Sequence, residues 1–345
     1  MNVHASIARP TPPGCDSAMP DPRALAEQLA RYREPCHRRS LFELAVTIVP
    51  LALLWAGAWL GVRAGHWAAL LLTIPAGAFL LRLFIVQHDC GHGAFFRHRA
   101  LNDWTGRALG VLTLTPYDVW RRAHAEHHAG AANLDRRGVG DVDTLTLAEY
   151  RALSAWGRLR YRLYRHPLTL LGLGPAYLFL LRNRLPIGQM RRGWQPWVSA
   201  MATNLALCLL ALGTAALGGL GSFVLVQLCV TLVAGTGGVW LFYVQHQFED
   251  GWWERKPGWT FHDGALRGSS HYVLPAPLRW ITGNIGVHHV HHLVSRIPFY
   301  RLPEVLRDWP VLARTNQVTL RDSLACLRLR LWDEERRRLV PIPKR

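Results

Sequence analysis

WRRAHAEHHAG, residues 120–130, carries three histidines at offsets of zero, three and four. On an α-helix these offsets fall on one face, one turn apart, so the imidazole rings of His124, His127 and His128 can point at one spot. Neutral imidazole is the commonest protein ligand for transition metals. The stretch therefore predicts a helix with a metal-binding face, and the rest of the chain is interpreted around it.

The same spacing returns in two other places in the chain. Residues 288–292 (HHVHH) repeat the three offsets, and residues 87–92 (QHDCGH) contain an i, i+4 pair. The histidines at these positions are His88 and His92, and His288, His291 and His292. A chain with 17 histidines clusters some of them by chance, but three clusters with helical ligand spacing favour a common site. His289 is out of phase within its cluster, and we assign it no ligand role.

Four long apolar segments lie around these clusters, at about residues 41–62, 67–86, 197–217 and 223–244. Roughly 20 residues with a rise of about 1.5 Å each cover the hydrocarbon core of a bilayer. The alternative, buried helices of a large soluble protein, conflicts with their length and sparse charge. Arg82 lies near the end of the second segment, where we expect its side chain to snorkel to the surface. The fourth segment continues into WLFYVQHQFED and brings His246 to the same end as the clusters.

The predicted fold class is all-α, with four transmembrane helices, interfacial helices and histidine clusters at one end of the spans. Residues 150–165 alternate apolar residues with arginine and predict an interfacial helix. Residues 168–181 are apolar but too short to cross a bilayer, which indicates a re-entrant or interfacial segment. We expect a disordered, proline-rich tail at residues 1–23, a membrane domain at 24–310 and a basic cytosolic tail at 311–345.

The net charge of +17 comes almost entirely from arginines that flank the apolar segments. That placement favours an anionic membrane surface as the partner. The sequence has no zinc finger and no basic helix apart from the apolar segments, so we expect no nucleic-acid partner. One basic residue, Arg63, lies in the two short turns between spans, and the positive-inside rule therefore places both termini and all three histidine clusters in the cytoplasm. Six scattered cysteines without a C-x-x-C pair, and a first stretch without an apolar signal region, agree with that compartment.

The candidate metal ligands number nine, which is too many for one tetrahedral zinc and suits two metals with open positions. They are His88, His92, His124, His127, His128, His246, His288, His291 and His292. The count leaves iron, copper and zinc open, since neutral imidazole binds all three.

Ligating imidazoles usually donate their second ring N–H to a carboxylate or a carbonyl. The acidic residues near the clusters are Asp89, Glu126, Asp141, Asp143, Glu249 and Asp250. We favour Asp143, in GDVDT, as this partner, with Asp89 as a second candidate. The alternative for Asp143 is an ordinary loop or helix-cap role.

HDCGH, HAEHH and HHVHH resemble the three histidine boxes of the membrane fatty acid desaturase family. Neighbouring sequences strengthen the resemblance: NLDRRGVGDVDTLT, GLGPAYLFLLRNRLP, WLFYVQHQFEDGWW and NIGVHHVHHLVSRIPFYRLPEV are similar to the bacterial omega-6 (delta-12) type of acyl-lipid desaturase. The likeness covers residues 42–310. A single H-x-x-H-H is a weak signal, but three boxes in order, at this distance from apolar spans, are highly specific.

The resemblance implies a multi-pass enzyme of the bacterial inner membrane. It also implies a cytosolic helical cap that holds a histidine-rich dimetal site, a centre of two non-haem iron ions. It also implies that O2 and two electrons are used to insert a cis double bond into the acyl chain of a membrane lipid. The box histidines and His246 correspond to the family's iron ligands, and no further catalytic residue is expected. One position departs from the pattern. In the stearoyl-CoA branch an asparagine lies four residues before the histidine that corresponds to His246, whereas this chain has Phe242 at that position.

The resemblance leaves the electron donor and the exact outcome open. The sequence contains no HPGG signature of a fused haem-binding cytochrome domain, so we expect a separate donor such as ferredoxin with its reductase, docking on the arginine-rich face. Hydroxylation, acetylenation, epoxidation or ketolation would need nearly the same ligands. A metal transporter would place its ligands nearer the bilayer midplane, and a haem protein would need facing single histidines. The sequence carries no signal for an oligomeric state.

Overall fold

The computed structural model describes residues 21–138 and 140–343. The predicted disordered tail at residues 1–23 lies outside the described residues apart from its last three. Of those three, Asp21 accepts a hydrogen bond from the Ala24 backbone N–H and caps a helix that begins at Pro22. Aspartate at the N-cap and proline at the first helical position are both favoured at helix starts. The first described helix therefore begins slightly before the predicted boundary at residue 24.

Helices make up most of the described chain, as predicted. In chain order, helices α1 to α16 are Pro22–Leu29, His37–Arg63, Thr73–His92, Arg99–Leu112, Tyr117–Gly130, Leu147–Ala152, Ala155–Tyr164, Gly174–Ala176, Gln195–Ala216, Leu220–His246, Phe261–Arg267, Ala276–Ile281, His288–Leu293, Leu302–Asp308, Pro310–Arg314 and Leu320–Cys326. Short strands β1 to β5 are Leu145–Thr146, His271–Val273, Gln317–Thr319, Leu331–Asp333 and Arg338–Val340.

These strands form two small sheets in the part of the described chain that lies outside the four long helices, called the cap below. In the first, β4 pairs in parallel with β1 and antiparallel with β5; in the second, β2 and β3 pair in parallel. Each strand is only two or three residues long. The sheets tie distant parts of the cap together, and the fold class remains that of a helical membrane protein.

Four helices are long and apolar enough to cross a membrane: α2, the continuous stretch Trp67–His92 that contains α3, α9 and α10. The number of predicted spans is therefore confirmed. Each helix overlaps its predicted segment, but α3 and α10 run on to His92 and His246. Nothing in the histidine sequences interrupts helical hydrogen bonding. Gly93, with a left-handed φ of 66°, is what ends α3.

The four spans are joined so that every histidine cluster lies at one end of the bundle. Tight turns at residues 64–66 and 217–219 connect α2 to the second span and α9 to α10 at the other end. Helix α3 packs against both α2 and α10. A Cβ at Gly77 would lie 2.5 Å from the Cβ of Val233, so glycine is what permits the close approach of α3 and α10.

Arg82 does not snorkel to the surface, and the structure corrects that expectation. Its side chain is 1% exposed and forms an ion pair with Glu43 of α2. Its Nε donates to Thr47 Oγ1 at 3.1 Å, and another nitrogen donates to the Trp280 carbonyl. Glu43 and Thr47 of α2 and the rings of Trp280 and Phe299 surround the guanidinium group, so the side chain finds its partners inside the protein.

The predicted interfacial segments are helical but differ in detail. Residues 150–165 belong to two helices, α6 and α7, because Ser154 starts a new helix by accepting a hydrogen bond from the Gly157 N–H. Trp156, Leu159 and Leu163 leave an apolar stripe of α7 exposed. Residues 168–181 form a short helical stretch around α8 that packs against α10.

Residues 310–343 are folded onto the rest of the cap and do not form a tail. No more than 1% of the surface of Leu312, Trp332 or Leu339 is exposed to solvent. Strands β3 and β4 pair with β2 and β1, which lie far earlier in the chain. The expected boundary at residue 310 has no counterpart in the packing, because the apolar residues that follow it complete the core of the cap.

Candidate metal centre

The nine predicted histidines lie together in two adjacent groups. The five-histidine group consists of His88, His92, His124, His128 and His291; the four-histidine group consists of His127, His246, His288 and His292. Within each group, one ring nitrogen from every member lies within 4.8 Å of the corresponding nitrogens of the others. Five and four side chains thus converge on two separate points.

Helical geometry explains how each H-x-x-H-H sequence contributes to both groups. On α5, the i, i+4 pair His124 and His128 belongs to the five-histidine group, and His127 belongs to the other. On α13 the assignment is reversed: the i, i+4 pair lies in the four-histidine group, and His291 lies in the five-histidine group. Residues four apart stack on the same side of a helix, while the residue three along is rotated toward the neighbouring point.

The ring nitrogens have the spacing expected around a bound metal. Nε2 atoms are 3.3 Å apart in the pair His88–His92 and 3.0 Å apart in the pair His92–His124. In the other group, Nε2 of His288 is 3.0 Å from that of His246 and 3.1 Å from that of His292. Two nitrogens that bind one metal at about 2.0–2.1 Å lie roughly 2.8–3.4 Å from each other in octahedral or tetrahedral geometry. The observed distances match these polyhedron edges.

Several ring nitrogens are buried and have no hydrogen-bond partner within the described residues. His291 lacks a partner at both nitrogens, and His127 lacks one at Nε2. Unpaired polar atoms in a protein interior are costly, and a cation shared among their lone pairs removes the cost. The donor set, all neutral imidazoles, therefore fits transition-metal ions.

Protonation of the rings in the cap is strongly disfavoured. Burial, together with the neighbouring imidazoles, holds the pKa values of His128, His288, His291 and His292 well below the ordinary histidine range. The neutral ring is the form that binds metals. The surroundings thus keep these side chains ready for coordination at neutral pH.

Asp141, rather than Asp143, is the carboxylate that reaches a box histidine. A carboxylate oxygen of Asp141 forms a short contact with Nδ1 of His127. Asp143 is exposed, and its backbone N–H donates to the Tyr164 hydroxyl at 3.0 Å. The structure therefore corrects the prediction for Asp143, since the two residues project differently from one loop.

Asp89 lies beside the five-histidine group, as its position next to His88 suggested. It is fully buried, and its Oδ2 accepts a hydrogen bond from the Phe299 N–H at 2.7 Å. Its Oδ1 is 3.5 Å from Nδ1 of His88 but is not aligned as a hydrogen bond. Asp89 thus joins the end of α3 to the segment after α13.

Two aromatic residues at the site were not singled out from the sequence as contributors to it. Trp120 stacks on His124 with ring centroids 4.8 Å apart, and a Cβ at Gly91 would lie 2.7 Å from the Trp120 ring. Trp120 lies four residues before His124, on the same helix face, and this spacing is the signal that could have identified it from the sequence. Phe242 lies against His127 and His246, with centroids 5.1 and 4.8 Å away. The apolar ring of Phe242 therefore occupies the position, four residues before His246, at which the sequence analysis noted the missing asparagine.

His289 has a structural contact instead of a place in either group. Its Nε2–H donates to the Leu312 carbonyl at 2.9 Å. His271 makes a parallel contact, in which Nδ1–H donates to the Ala313 carbonyl at 2.8 Å. Together they fasten α15 to the segment that carries the third histidine cluster.

A bundle of four apolar helices with two histidine groups at one end defines a class of membrane protein with a dimetal-binding site. The family model for fatty acid desaturases matches residues 65–321, and the chain belongs to this family. It is accordingly an oxidoreductase.

Three relatives illustrate the similarity. A fatty acid desaturase of Bacillus subtilis is 43% identical over 318 residues, which cover 92% of this chain and 90% of that protein. An omega-3 fatty acid desaturase of the endoplasmic reticulum from Vigna radiata is 26% identical over 318 residues, covering 85% and 78%. An sn-1 acyl-lipid omega-3 desaturase (ferredoxin) of Synechocystis is 31% identical over 240 residues, covering 66% and 63%.

Proposed function

We propose that the protein inserts a cis double bond into the acyl chain of a membrane lipid, with O2 and two electrons, at a centre of two non-haem iron ions. The convergence of nine imidazoles into groups of five and four is the observation that carries this proposal. Zinc suits imidazole equally well but has no redox chemistry, and the reaction of an oxidoreductase needs a metal that changes oxidation state.

Each histidine group would hold one iron ion. The five-histidine group would surround one ion more fully, while the four-histidine group leaves room for a further ligand. When bound, the iron pair would activate O2, which is the oxidant that removes hydrogen from an unactivated methylene; side chains lack this chemistry. The chain itself orients the ligands, with Asp141 fixing the ring of His127, and its apolar helices exclude water from the acyl chain.

The main test compares histidine variants with a matched control. His124→Ala, His246→Ala and His291→Ala remove ligands from three elements and from both groups. Each is expected to abolish new double bonds and to lower the iron content of the purified protein. The control, His66→Ala, removes an exposed histidine from the turn at the opposite end of the bundle. Wild-type products from all three ligand variants would refute the site.

The position of the double bond is proposed to be omega-6 (delta-12), from the sequence resemblance in the boxes and their flanks. A second candidate is omega-3, because two of the relatives named above carry that description. Expression in a host supplied with defined lipids separates them when the double bonds are located by mass spectrometry. An omega-6 enzyme adds a second bond to a monounsaturated chain, and an omega-3 enzyme adds a third to a diunsaturated one. A first bond in a saturated chain, or a hydroxylated product, would contradict both.

Ferredoxin with its reductase is the proposed electron donor. The printed name of the Synechocystis relative includes ferredoxin, and a net charge of +17 suits an acidic carrier. Reconstituted activity is expected to fall as salt rises from low to physiological ionic strength, because exposed charges are screened. Full activity with a basic donor, independent of salt, would contradict the docking model.

The protein is proposed to sit in the bacterial inner membrane with its histidine end in the cytoplasm. The two tight turns at the other end contain few basic residues, and the positive-inside rule supports this orientation. Reporter fusions in the turn at residues 64–66 and after residue 343 would test it. Opposite locations are expected for the two reporters.

A further inference from the structure

Arg165 is a buried cation outside the nine histidines. It directly follows α7 and is 0% exposed. Its Nη1 donates to the Asp143 carbonyl at 2.9 Å and to Thr144 Oγ1 at 3.1 Å. Its Nη2 donates to Gln247 Oε1 at 2.9 Å and to the Leu329 carbonyl at 3.2 Å. A guanidinium group with this many directed contacts holds its neighbours in fixed relative positions.

The partners of Arg165 in the described chain are neutral oxygens, and two more of them are the hydroxyls of Tyr161 and Tyr243. The charge is nevertheless stabilised, because Tyr243 and Gln247 mark the carboxyl end of α10, where the helix dipole is negative. Burying a cation is unfavourable unless its donors are satisfied; both Nη atoms have acceptors, whereas Nε has none among the described residues. The arrangement therefore depends on this helix end remaining where it is.

Arg165 connects the two segments that flank the four-histidine group. On one side it holds residues 143–144, in the same loop as Asp141, whose carboxylate contacts His127. On the other side it holds the last turn of α10, which carries His246. The rings of His127 and His246 face each other with centroids 4.7 Å apart. A single side chain thus links the supports of two members of this group.

The five-histidine group has no comparable connection to Arg165. Its members lie on α3, α5 and α13. The segments that Arg165 contacts are the loop after α5, the end of α10 and the residues after α16. Loss of the guanidinium group should therefore affect one group more than the other.

We propose that Arg165 is a positioning residue for the four-histidine group, joining the Asp141 loop to the end of α10 so that His127 and His246 bind the same metal ion. This inference rests on the proposed iron-binding function. It assigns a role to a residue that touches neither the metal nor the acyl chain. It also explains why a buried arginine is placed among neutral oxygens beside a metal centre.

The test is the iron content and spectrum of purified Arg165 variants in lipid nanodiscs. Arg165→Met removes all the hydrogen bonds, and Arg165→Lys keeps the charge but loses the planar fork. Arg162→Gln is the matched control, since Arg162 lies one turn earlier and bonds to the Tyr150 hydroxyl, away from the histidines. Arg165→Met is expected to bind iron at the four-histidine group about 10–100-fold more weakly, with Arg165→Lys between it and the wild type.

When iron is supplied at a concentration that just fills both sites of the wild type, Arg165→Met should retain one ion per chain, and Mössbauer spectra should show an isolated ion in place of a pair. The control should retain two. Equal affinity for both ions in wild type and Arg165→Met would overturn the inference, as would parallel loss of both ions with a lowered unfolding temperature. If Arg165→Met does not fold, Arg165→Lys and Thr144→Val are judged by the same criterion. A wild-type protein that binds no iron would refute the proposed function instead.

Discussion

Asp141 and Asp143 show how much depends on the direction of one side chain. Both are acidic, both lie in the same short loop, and only Asp141 contacts a box histidine. Asp143 contributes through its backbone, which binds Tyr164 and Arg165. The carboxylate on His127 fixes the orientation of the ring and raises its basicity as a ligand. The two residues are therefore expected to respond differently to the same substitution.

Asp141→Asn should lower the affinity for one iron ion by about 10–100-fold, because the amide cannot replace the charged acceptor at Nδ1 of His127. Desaturation should fall with it. Asp143→Asn is the matched control, because it leaves the backbone contacts intact and should behave like the wild type. Iron titration followed by product analysis measures both. If the two variants bound iron and produced double bonds equally well, the contact between Asp141 and His127 would not contribute to function.

At the scale of the element, α2 and α3 are joined by a buried charge pair. Glu43 binds Arg82 inside the protein and also binds Arg39, which is half exposed. Arg82 stacks on Trp280 as well, with its guanidinium carbon 4.0 Å from the ring centroid. The pair therefore connects two spans to the short helix α12. Its two members are not equivalent, because Glu43 keeps a second partner when Arg82 is removed.

Glu43→Leu should destabilise the protein by about 3–5 kcal/mol, because it leaves the Arg82 charge buried without a carboxylate. Arg82→Met should cost less, since Arg39 remains beside Glu43. The double variant Glu43→Leu, Arg82→Met should recover most of the loss. Denaturant unfolding in detergent measures these free energies. Arg39→Gln, the exposed control, should cost less than about 1 kcal/mol, and a double variant as unstable as Glu43→Leu would contradict the assignment.

The segment after residue 310 is a second element whose role is decided by packing. His289 and His271 donate hydrogen bonds to carbonyls of α15, and β3 pairs with β2. Since His289 lies between the ligand candidates His288 and His291, the segment supports the third histidine cluster directly.

Deletion of residues 310–345 should prevent accumulation of a monodisperse, iron-binding protein, because it exposes the apolar residues that the segment covers and removes the acceptors of two buried histidines. Deletion of residues 344–345 alone serves as the control and should leave the protein unchanged. Size-exclusion chromatography and iron analysis give the readout. A well-folded, iron-loaded protein after the long deletion would show that the segment is a tail after all.

At the scale of the whole molecule, the histidine groups are the place where separate parts of the chain meet. Members come from α3, α5, α10 and α13, and each group takes rings from three of these helices. Bound ions would therefore act as cross-links between spans and cap. Without them, the buried ring nitrogens that lack partners would remain unsatisfied.

Removal of iron should lower the unfolding temperature, because a ligand that binds only the folded state stabilises it by about 2.7 kcal/mol per site at a concentration 100-fold above its dissociation constant. Thermal unfolding of chelator-treated and iron-loaded samples measures the difference. Restoring iron should restore the unfolding temperature. An unchanged transition in fully iron-free protein would mean that the groups are held by packing alone.

Much of the fold could be predicted because its signals are local. An apolar stretch of about 20 residues predicts a membrane span independently of its tertiary contacts. The offsets within HAEHH likewise predict one helix face. The nine candidates, including His246 at the end of α10, follow from such signals. Their role as ligands stays a prediction, although the structure brings them together. The positions of Arg82, Asp141 and the C-terminal segment were not predicted, since each depends on contacts with residues far away in the sequence.

The sequence by itself determined the membrane class, the four spans and the helical spacing of the histidines, because hydropathy and periodicity are properties of neighbouring residues. Only the tertiary structure decided how nine rings divide into five and four, which aspartate supports His127, and what Arg165 joins. Those outcomes require helices from distant parts of the chain to meet at one end of the bundle. The relative rotation and depth of these helices are set by the packing between them, and they cannot be deduced from the residue pattern within any one helix.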